Sequence, residues 1–218
     1  MKKAIIFGSS GLIGSKLLDL LIESNYYNKI KLFVRSDPKI TNSKLEIIKT
    51  DFNNLEIIKS SIVGDDCFFC IGTTRKNTPN KKNYINIEHD LPIKIGEISK
   101  SNSINSFIYI SSLGANSKAL GLYLKNKGQV ENRLKKLNFP KLSIIRPSIL
   151  LGNRKENRIG EKIGIFVMQA LSPLFLGKFK KYKPIKVENI AKAMLIIAKS
   201  NFTETTFESD LLLRLSKW

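Results

Sequence analysis

The sequence predicts an α/β fold of the doubly wound type, a parallel sheet with helices on both faces and a small irregular cap at one end. Three observations predict it. Short β-branched, largely apolar runs recur along the chain, helical stretches alternate with them, and a glycine-rich turn follows the first run directly. The runs are Ala4–Phe7, Ile30–Val34, Leu45–Ile48, Cys67–Ile71, Phe107–Ile110 and Leu142–Ile145. Most lack strict polar alternation, as strands buried on both faces require. Helices are expected over Leu12–Glu23, Asn54–Ile62, Tyr84–Ser101, Tyr123–Leu137 and Glu188–Lys199. Short β-α connections imply right-handed crossovers between parallel strands. Neither repeats nor a linker interrupt the pattern, so residues 1–218 read as one domain. Residues 153–184 lose clean periodicity. Because ligands of such folds bind outside the carboxyl ends of the strands, this stretch reads as a substrate-side cap.

Composition narrows the class. Hydrophobic residues make up 42% and charged residues 25%, ordinary values for a globular chain. The formal charge of +19 raises the question of a polyanionic partner. The 37 basic residues are scattered, however, and only seven are arginines. Lysine, isoleucine and asparagine are abundant together, a pattern that AT-rich codons explain. A solvated basic surface is therefore expected, with no specific nucleic-acid site. The densest basic group, Lys178 to Lys183, adjoins the apolar stretch Ile163–Leu176, which is expected to pack in the cap or at a subunit contact rather than on an anionic membrane. Cys67 and Cys70 form a CxxC, but they sit in a strand where positions three apart face opposite sides, so two buried thiols are expected. Met1-Lys2-Lys3 leads straight into the first strand, and no run reaches the roughly 20 apolar residues of a membrane span. A soluble, cytoplasmic protein is expected, without integral membrane association.

The first strand ends in Gly8-Ser9-Ser10-Gly11-Leu12-Ile13-Gly14, and a helix follows. This GxxGxxG spacing has a physical rationale. Gly8 permits the tight turn, Gly11 lets the backbone approach a pyrophosphate, and Gly14 lets the helix pack close to the sheet. The pyrophosphate then rests on the free N–H groups of the helix start, with Ser9 and Ser10 adding hydroxyl donors. A dinucleotide-binding Rossmann fold follows. At the end of the second strand, NAD sites carry a carboxylate for the ribose 2′-hydroxyl and NADP sites a cation for the 2′-phosphate. Here the tip is Arg35, with Asp37 two residues later, so NADP (as NADPH) is expected and NAD is the lesser alternative. Asp51, after the third strand, reads either as a contact to the adenine edge or as a plain turn carboxylate.

The fifth strand ends in Ser111-Ser112, and Tyr123 opens a YxxxK with Lys127. Residues i and i+4 share a helix face, and Val130, Leu134 and Leu137 continue it, so the pair points inward at the sheet rim. A nearby cation favours phenolate, which suits Tyr123 to proton transfer, while Ser112 is placed to bind the same oxygen. Lys127 can also hold the nicotinamide ribose hydroxyls.

These residues resemble the short-chain dehydrogenase/reductase superfamily, atypical or extended type, and within it the Tat-interacting-protein-like oxidoreductases. The matching stretches are Gly8–Gly14, Cys70–Arg75, Glu88–Asp90, Ser111–Ala115, Tyr123–Glu131 and Arg146–Leu151. The resemblance implies that Gly72 and Thr73 line the cofactor, and that Arg146, Pro147 and Ser148 skirt the nicotinamide carboxamide. It makes Ser112, Tyr123 and Lys127 the catalytic trio, with Ser111 beside the cofactor and facing the other side of the strand. Asn86 is its candidate for the family asparagine. An NADP-dependent oxidoreductase acting on a small carbonyl or alcohol is expected. Epimerase or dehydratase chemistry on the same trio, and an NADP-binding redox regulator working through a protein partner or homo-oligomer, are the alternatives.

Overall fold

The computed structural model describes residues 1–152 and 177–218. From the N-terminus the elements are β1 (Lys2–Phe7), α1 (Leu12–Glu23), β2 (Tyr27–Val34), β3 (Leu45–Lys49), α2 (Glu56–Lys59) and β4 (Asp66–Phe69). Next come α3 (Lys81–Ile85), a π-helical turn (Asn86–Asp90) and α4 (Leu91–Ser101). The chain continues through β5 (Ser106–Ile110), α5 (Leu122–Lys136), β6 (Lys141–Arg146) and β7 (Leu150–Leu151). After a 3-10 helix at Gly177–Tyr182 come β8 (Ile185–Lys186), α6 (Val187–Lys199), β9 (Thr206–Glu208) and α7 (Ser209–Leu215).

Seven parallel strands form one sheet in the order β3-β2-β1-β4-β5-β6-β9, and β7 pairs with β8 in a separate parallel ribbon. The order turns back between β1 and β4, whose registers run from Ala4 opposite Asp66 to Phe7 opposite Phe69. That switch point opens a crevice at the carboxyl ends of the two strands.

Alternation along each strand feeds two cores. Ala4 and Ile6 face the layer of α1 and α6, where Leu17, Leu21, Ile190, Met194 and Ile197 are buried. Ile5 and Phe7 face the other layer, with Phe69, Phe107, Ile95, Val130 and Leu134. Phe7 stacks on Phe33 with ring centroids 4.6 Å apart. Each such buried side chain contributes about 1.5–3 kcal/mol. Two helix ends are closed by lysines from neighbouring segments. Lys44 Nζ donates to Ile22 O (2.6 Å) and Ser24 O (2.9 Å) at the end of α1. Lys141 Nζ donates to Ala198 O (2.9 Å) and to Ser200 O at the end of α6. Cations there satisfy orphan carbonyls and complement the helix dipole.

Cys67 lies in one core and Cys70 packs against the other, both as free thiols. Burial pushes the Cys67 thiol up to about 12 and raises that of Cys70 as well.

The elements depart from the sequence expectation in four places. The helix expected over Asn54–Ile62 is a single turn, because Ile58 and Ile62 are buried while Ile57 is 75% exposed, too little apolar face for a longer helix. The helix expected from Tyr84 begins at Lys81, where Asn80 caps it by accepting from Asn83 N at 3.0 Å. The same helix is interrupted by the π-helical turn. Strand β9 and helix α7 close the chain where no element was expected. The cap expected at 153–184 lies outside the described residues as far as 176, as does the apolar stretch Ile163–Leu176.

Candidate active site

The glycine turn is bound to the switch point by close backbone approaches. Gly8 has φ +86°, and a Cβ there would lie 2.7 Å from Ile71 N, at the end of β4. A Cβ on Gly14 would lie 2.1 Å from Gly8 O, so α1 starts against the turn itself. Gly11 precedes α1 in extended conformation and donates to Gly8 O at 3.0 Å. Among the described residues no side chain caps α1, and its first turn carries no acid. Its leading N–H groups and positive dipole end are therefore free for an anion.

A cleft of about 870 Å³ runs from this turn to the ends of β5 and β6. Ser10, Gly11, Leu12 and Ile13 line one end, Gly72, Thr73 and Arg75 the middle, and Ser112, Tyr123, Lys127, Pro147 and Ser148 the other. Glycine turn and YxxxK, separated by more than a hundred residues of chain, thus share one cavity. Ser9 is buried beneath the turn.

Helix α5 presents Tyr123 and Lys127 because Gly128 lets it sit against the loop after β5. A Cβ on Gly128 would lie 2.2 Å from Ser117 N. Val130 and Leu134, both fully buried, anchor the same face in the core. Tyr123 is 42% exposed, at the cleft mouth, and Lys127 is 4% exposed. The Lys127 ammonium donates to Ile110 O at 3.1 Å and lies 5.9 Å from the Tyr123 ring centroid. Burial by itself lowers the lysine pKa, but the facing Tyr109, Glu88 and Tyr123 outweigh it and hold it above its ordinary value.

The two serines differ. Ser111 Oγ is committed to Glu131 Oε1 at 2.5 Å, whereas Ser112 Oγ makes only a 3.3 Å bond to Leu113 O. Glu131 also holds Arg146, whose Nε donates to Oε1 at 2.9 Å and Nη2 to Oε2 at 2.5 Å. Arg146 thus braces β6 against α5 and does not line the cleft; Pro147 and Ser148 do. Ser148 Oγ donates to Lys183 O at 2.5 Å.

The strand-two tip lies outside the cleft lining. Arg35 is exposed there, with no carboxylate partner among the described residues. Asp37 accepts from Lys39 N at 2.9 Å and lies 3.9 Å from Lys49 Nζ. Asp51 is exposed and caps its own turn, accepting from Asn53 N and Asn53 Nδ2, each at 2.9 Å. Those bonds hold its carboxyl below the usual range.

Asn86 opens the π-helical turn, exposed and outside the cleft. The residue of that turn that faces Lys127 is Glu88. It is 2% exposed, its Oε1 accepts from Thr73 N at 2.5 Å, and its Oε2 lies 3.0 Å from Lys127 Nζ. Sequence reasoning assigned Glu88 no role. Its only signal was membership of the matching stretch Glu88–Asp90.

A family profile described as NAD(P)H-binding matches residues 8–173. The chain belongs to that NAD(P)H-binding family. Over 208 residues this NAD(P)H-binding protein is 33% identical to "Protein FMP52, mitochondrial" of Debaryomyces hansenii, covering 92% of this chain and 89% of the relative. It is 28% identical to "Protein HTATIP2" of Rattus norvegicus, covering 99% and 90%. Among solved structures, its fold is similar to the Bordetella bronchiseptica enzyme WbmH in complex with NAD+ (TM-score 0.70, 16% identity, 96% of this chain and 76% of that one). It is likewise similar to the UDP-glucose 4-epimerase of Thermotoga maritima with UDP-glucose (TM-score 0.70, 15% identity, 99% and 81%). The resemblance read from the motifs is borne out, since the chain belongs to an NAD(P)H-binding family and is similar to HTATIP2, and the doubly wound fold is as expected. Among the described residues, no helix is long and apolar enough to cross a membrane. The name of the fungal relative gives no support to a cytoplasmic location.

Proposed function

We propose that this protein is an NADP-dependent oxidoreductase of the short-chain dehydrogenase/reductase type, acting on a small carbonyl or alcohol with Tyr123 as acid and base. The observation that carries the reading is the single cleft joining the uncapped start of α1 to Ser112, Tyr123 and Lys127.

The residues present suit a dinucleotide. The Gly8 and Gly14 approaches leave no room for a side chain, and the backbone of Ser10 to Ile13 is open to a pyrophosphate. Gly72, Thr73, Pro147 and Ser148 would line the rest. When bound, the cofactor supplies or accepts hydride. Tyr123, at the mouth, gives its hydroxyl proton to the developing alkoxide or takes it back in the reverse direction. Ser112, whose hydroxyl has only a weak internal bond, donates to the same oxygen. Lys127 holds positive charge beneath the tyrosine. NADP over NAD is supported by the tip of β2, where Arg35 has no carboxylate partner among the described residues and Asp37 is engaged by Lys39 and Lys49. Two free cysteines suit a reducing compartment, whether cytosol or organelle matrix.

The test is NADPH consumption against a panel of small aldehydes and ketones, with native protein and Tyr123→Phe. Turnover lost by about a hundredfold or more in the variant, at unchanged NADPH affinity, supports the assignment. Turnover that survives the substitution removes Tyr123 from the chemistry. A protein that binds NADPH but turns over no carbonyl moves the reading to a cofactor-binding regulator.

A further inference from the structure

A YxxxK pair acts through the field of its lysine, and here that lysine does not stand alone. Glu88, which lines the same cleft, reaches it from the helical segment before α4. Its two oxygens have separate partners: Oε1 takes the Thr73 N–H at 2.5 Å, and Oε2 stands 3.0 Å from Lys127 Nζ in an ion pair outside hydrogen-bond alignment. The side chains of Glu88 and Lys127 are 1% and 5% exposed, so water screens neither charge. Helical spacing accounts for the placement: Glu88 lies four residues after Tyr84 and three before Leu91, both buried, while Asn86, two residues earlier, faces solvent. Helix α4 is already held in the core by Leu91, Ile95 and Ile98, so an ion pair is not what seats it. A structural pair at this depth is readily replaced by apolar residues.

We infer that Glu88 is a positioning residue of the active site, which fixes the Lys127 ammonium at the end of β5, offsets its charge at Tyr123 and ties it to the loop after β4 through Thr73. The inference rests on the reading of Tyr123 and Lys127 as the reaction centre. The other groups facing this centre are Tyr109 from β5, whose ring centroid lies 5.0 Å from Lys127 Nζ, Tyr84 from α3, and Arg75, which sits 5.4 Å from the Tyr84 ring centroid. Burial pushes the hydroxyls of Tyr84 and Tyr109 up to about 12.

Glu88→Gln separates charge from shape, because glutamine keeps the oxygen that Thr73 N–H needs and a similar volume. Phenolate absorbance is followed with pH, and the part that vanishes in Tyr123→Phe belongs to Tyr123. In a Glu88→Gln protein that melts cooperatively, the Tyr123 step is expected about one pH unit or more lower than in the native protein. A step displaced by less than about 0.3 unit overturns the role of Glu88. If Glu88→Gln does not fold, Lys127→Met is compared with Lys127→Met/Glu88→Gln, in which no buried charge is left uncompensated. The second change is expected to lower the Tyr123 step by a similar amount, and equality overturns the inference. The titration needs no cofactor. A native protein that binds neither NADPH nor NADH therefore fails the underlying reading separately, whatever Glu88→Gln does.

Discussion

Alanine at Gly14 and alanine at Gly11 are expected to damage the protein in different ways, although both interrupt the same turn. The Gly14 Cβ would stand 2.1 Å from Gly8 O, so restoring an ordinary contact of 3.4 Å requires about 1.3 Å of movement between two backbones. Neither side yields easily: β1 is central in the sheet, and α1 is held by the fully buried Leu17 and Leu21. The expected cost is roughly 3 kcal/mol, the upper end for overpacking. For a chain of this size that lowers Tm by about 6–12 °C. The Gly11 Cβ would stand 3.2 Å from the same oxygen, and φ −76°, ψ 171° suits any residue. Its melting point is expected to stay within about 2 °C of native, the small clash being offset by a less flexible unfolded chain. Gly11 lines the cleft where a pyrophosphate would approach its backbone, so a methyl group there is expected to lower NADPH affinity at least about tenfold, or 1.4 kcal/mol. Thermal melts by circular dichroism and calorimetric titration with NADPH measure both effects. Equal losses of Tm in the two variants, or native affinity in Gly11→Ala, would refute the division of labour between these glycines.

Other perturbations have equally specific outcomes. Gly128→Ala places a Cβ 2.2 Å from Ser117 N, an overlap as severe as that at Gly14, so α5 must leave the loop after β5; Tm is expected to fall by about 6–12 °C and turnover with it, and a native Tm contradicts the placement. Lys44→Met removes both donors at the end of α1 and should cost about 1–2 kcal/mol in denaturant unfolding; an unchanged midpoint discounts the cap. Arg35→Ala should weaken NADPH at least about tenfold while leaving NADH unchanged, and an equal loss of both removes Arg35 from phosphate recognition. Asp66, fully buried, has its carboxyl raised chiefly by desolvation, with Tyr27 O–H donating to it at 2.9 Å. A raised folded-state value means that its contribution is complete below the unfolded carboxylate range and is lost as pH rises through the folded value. Relative to native, Asp66→Asn should therefore gain Tm from pH 4 to pH 8; a Tm difference, variant minus native, that stays constant or falls over that range contradicts the sign.

Much of the fold was legible because its signals are local. Helix α1 begins and ends where expected, since the glycine turn starts it and Leu17, Leu18 and Leu21 repeat at helical spacing. Strands buried on both faces, such as β1 and β4, announce themselves as short apolar runs. Strand β9 does not, for it has three residues and only Phe207 is fully buried, so it carries no period to detect. The two ends of the cleft were legible as motifs, and one dinucleotide was expected to join them, but the switch between β1 and β4 and the seating of α5 by Gly128, which bring them together, were not legible. Glu88 stayed hidden for a related reason. Helical spacing does put it on the inward face of Tyr84, Leu91 and Ile95, but only the fold brings Lys127 against it. Arg146, placed near the cofactor by resemblance alone, has its guanidinium held by Glu131, a contact that no sequence spacing announced.

The central claim is that one cleft holds a phosphorylated dinucleotide over Tyr123 and Lys127, and a paired calorimetric titration of the native protein with NADPH and NADH tests it most directly. The account predicts saturable binding of NADPH at one site, at least about tenfold tighter than NADH, or about 1.4 kcal/mol. Equal affinities would contradict the reading of Arg35, and binding of neither would contradict the account as a whole.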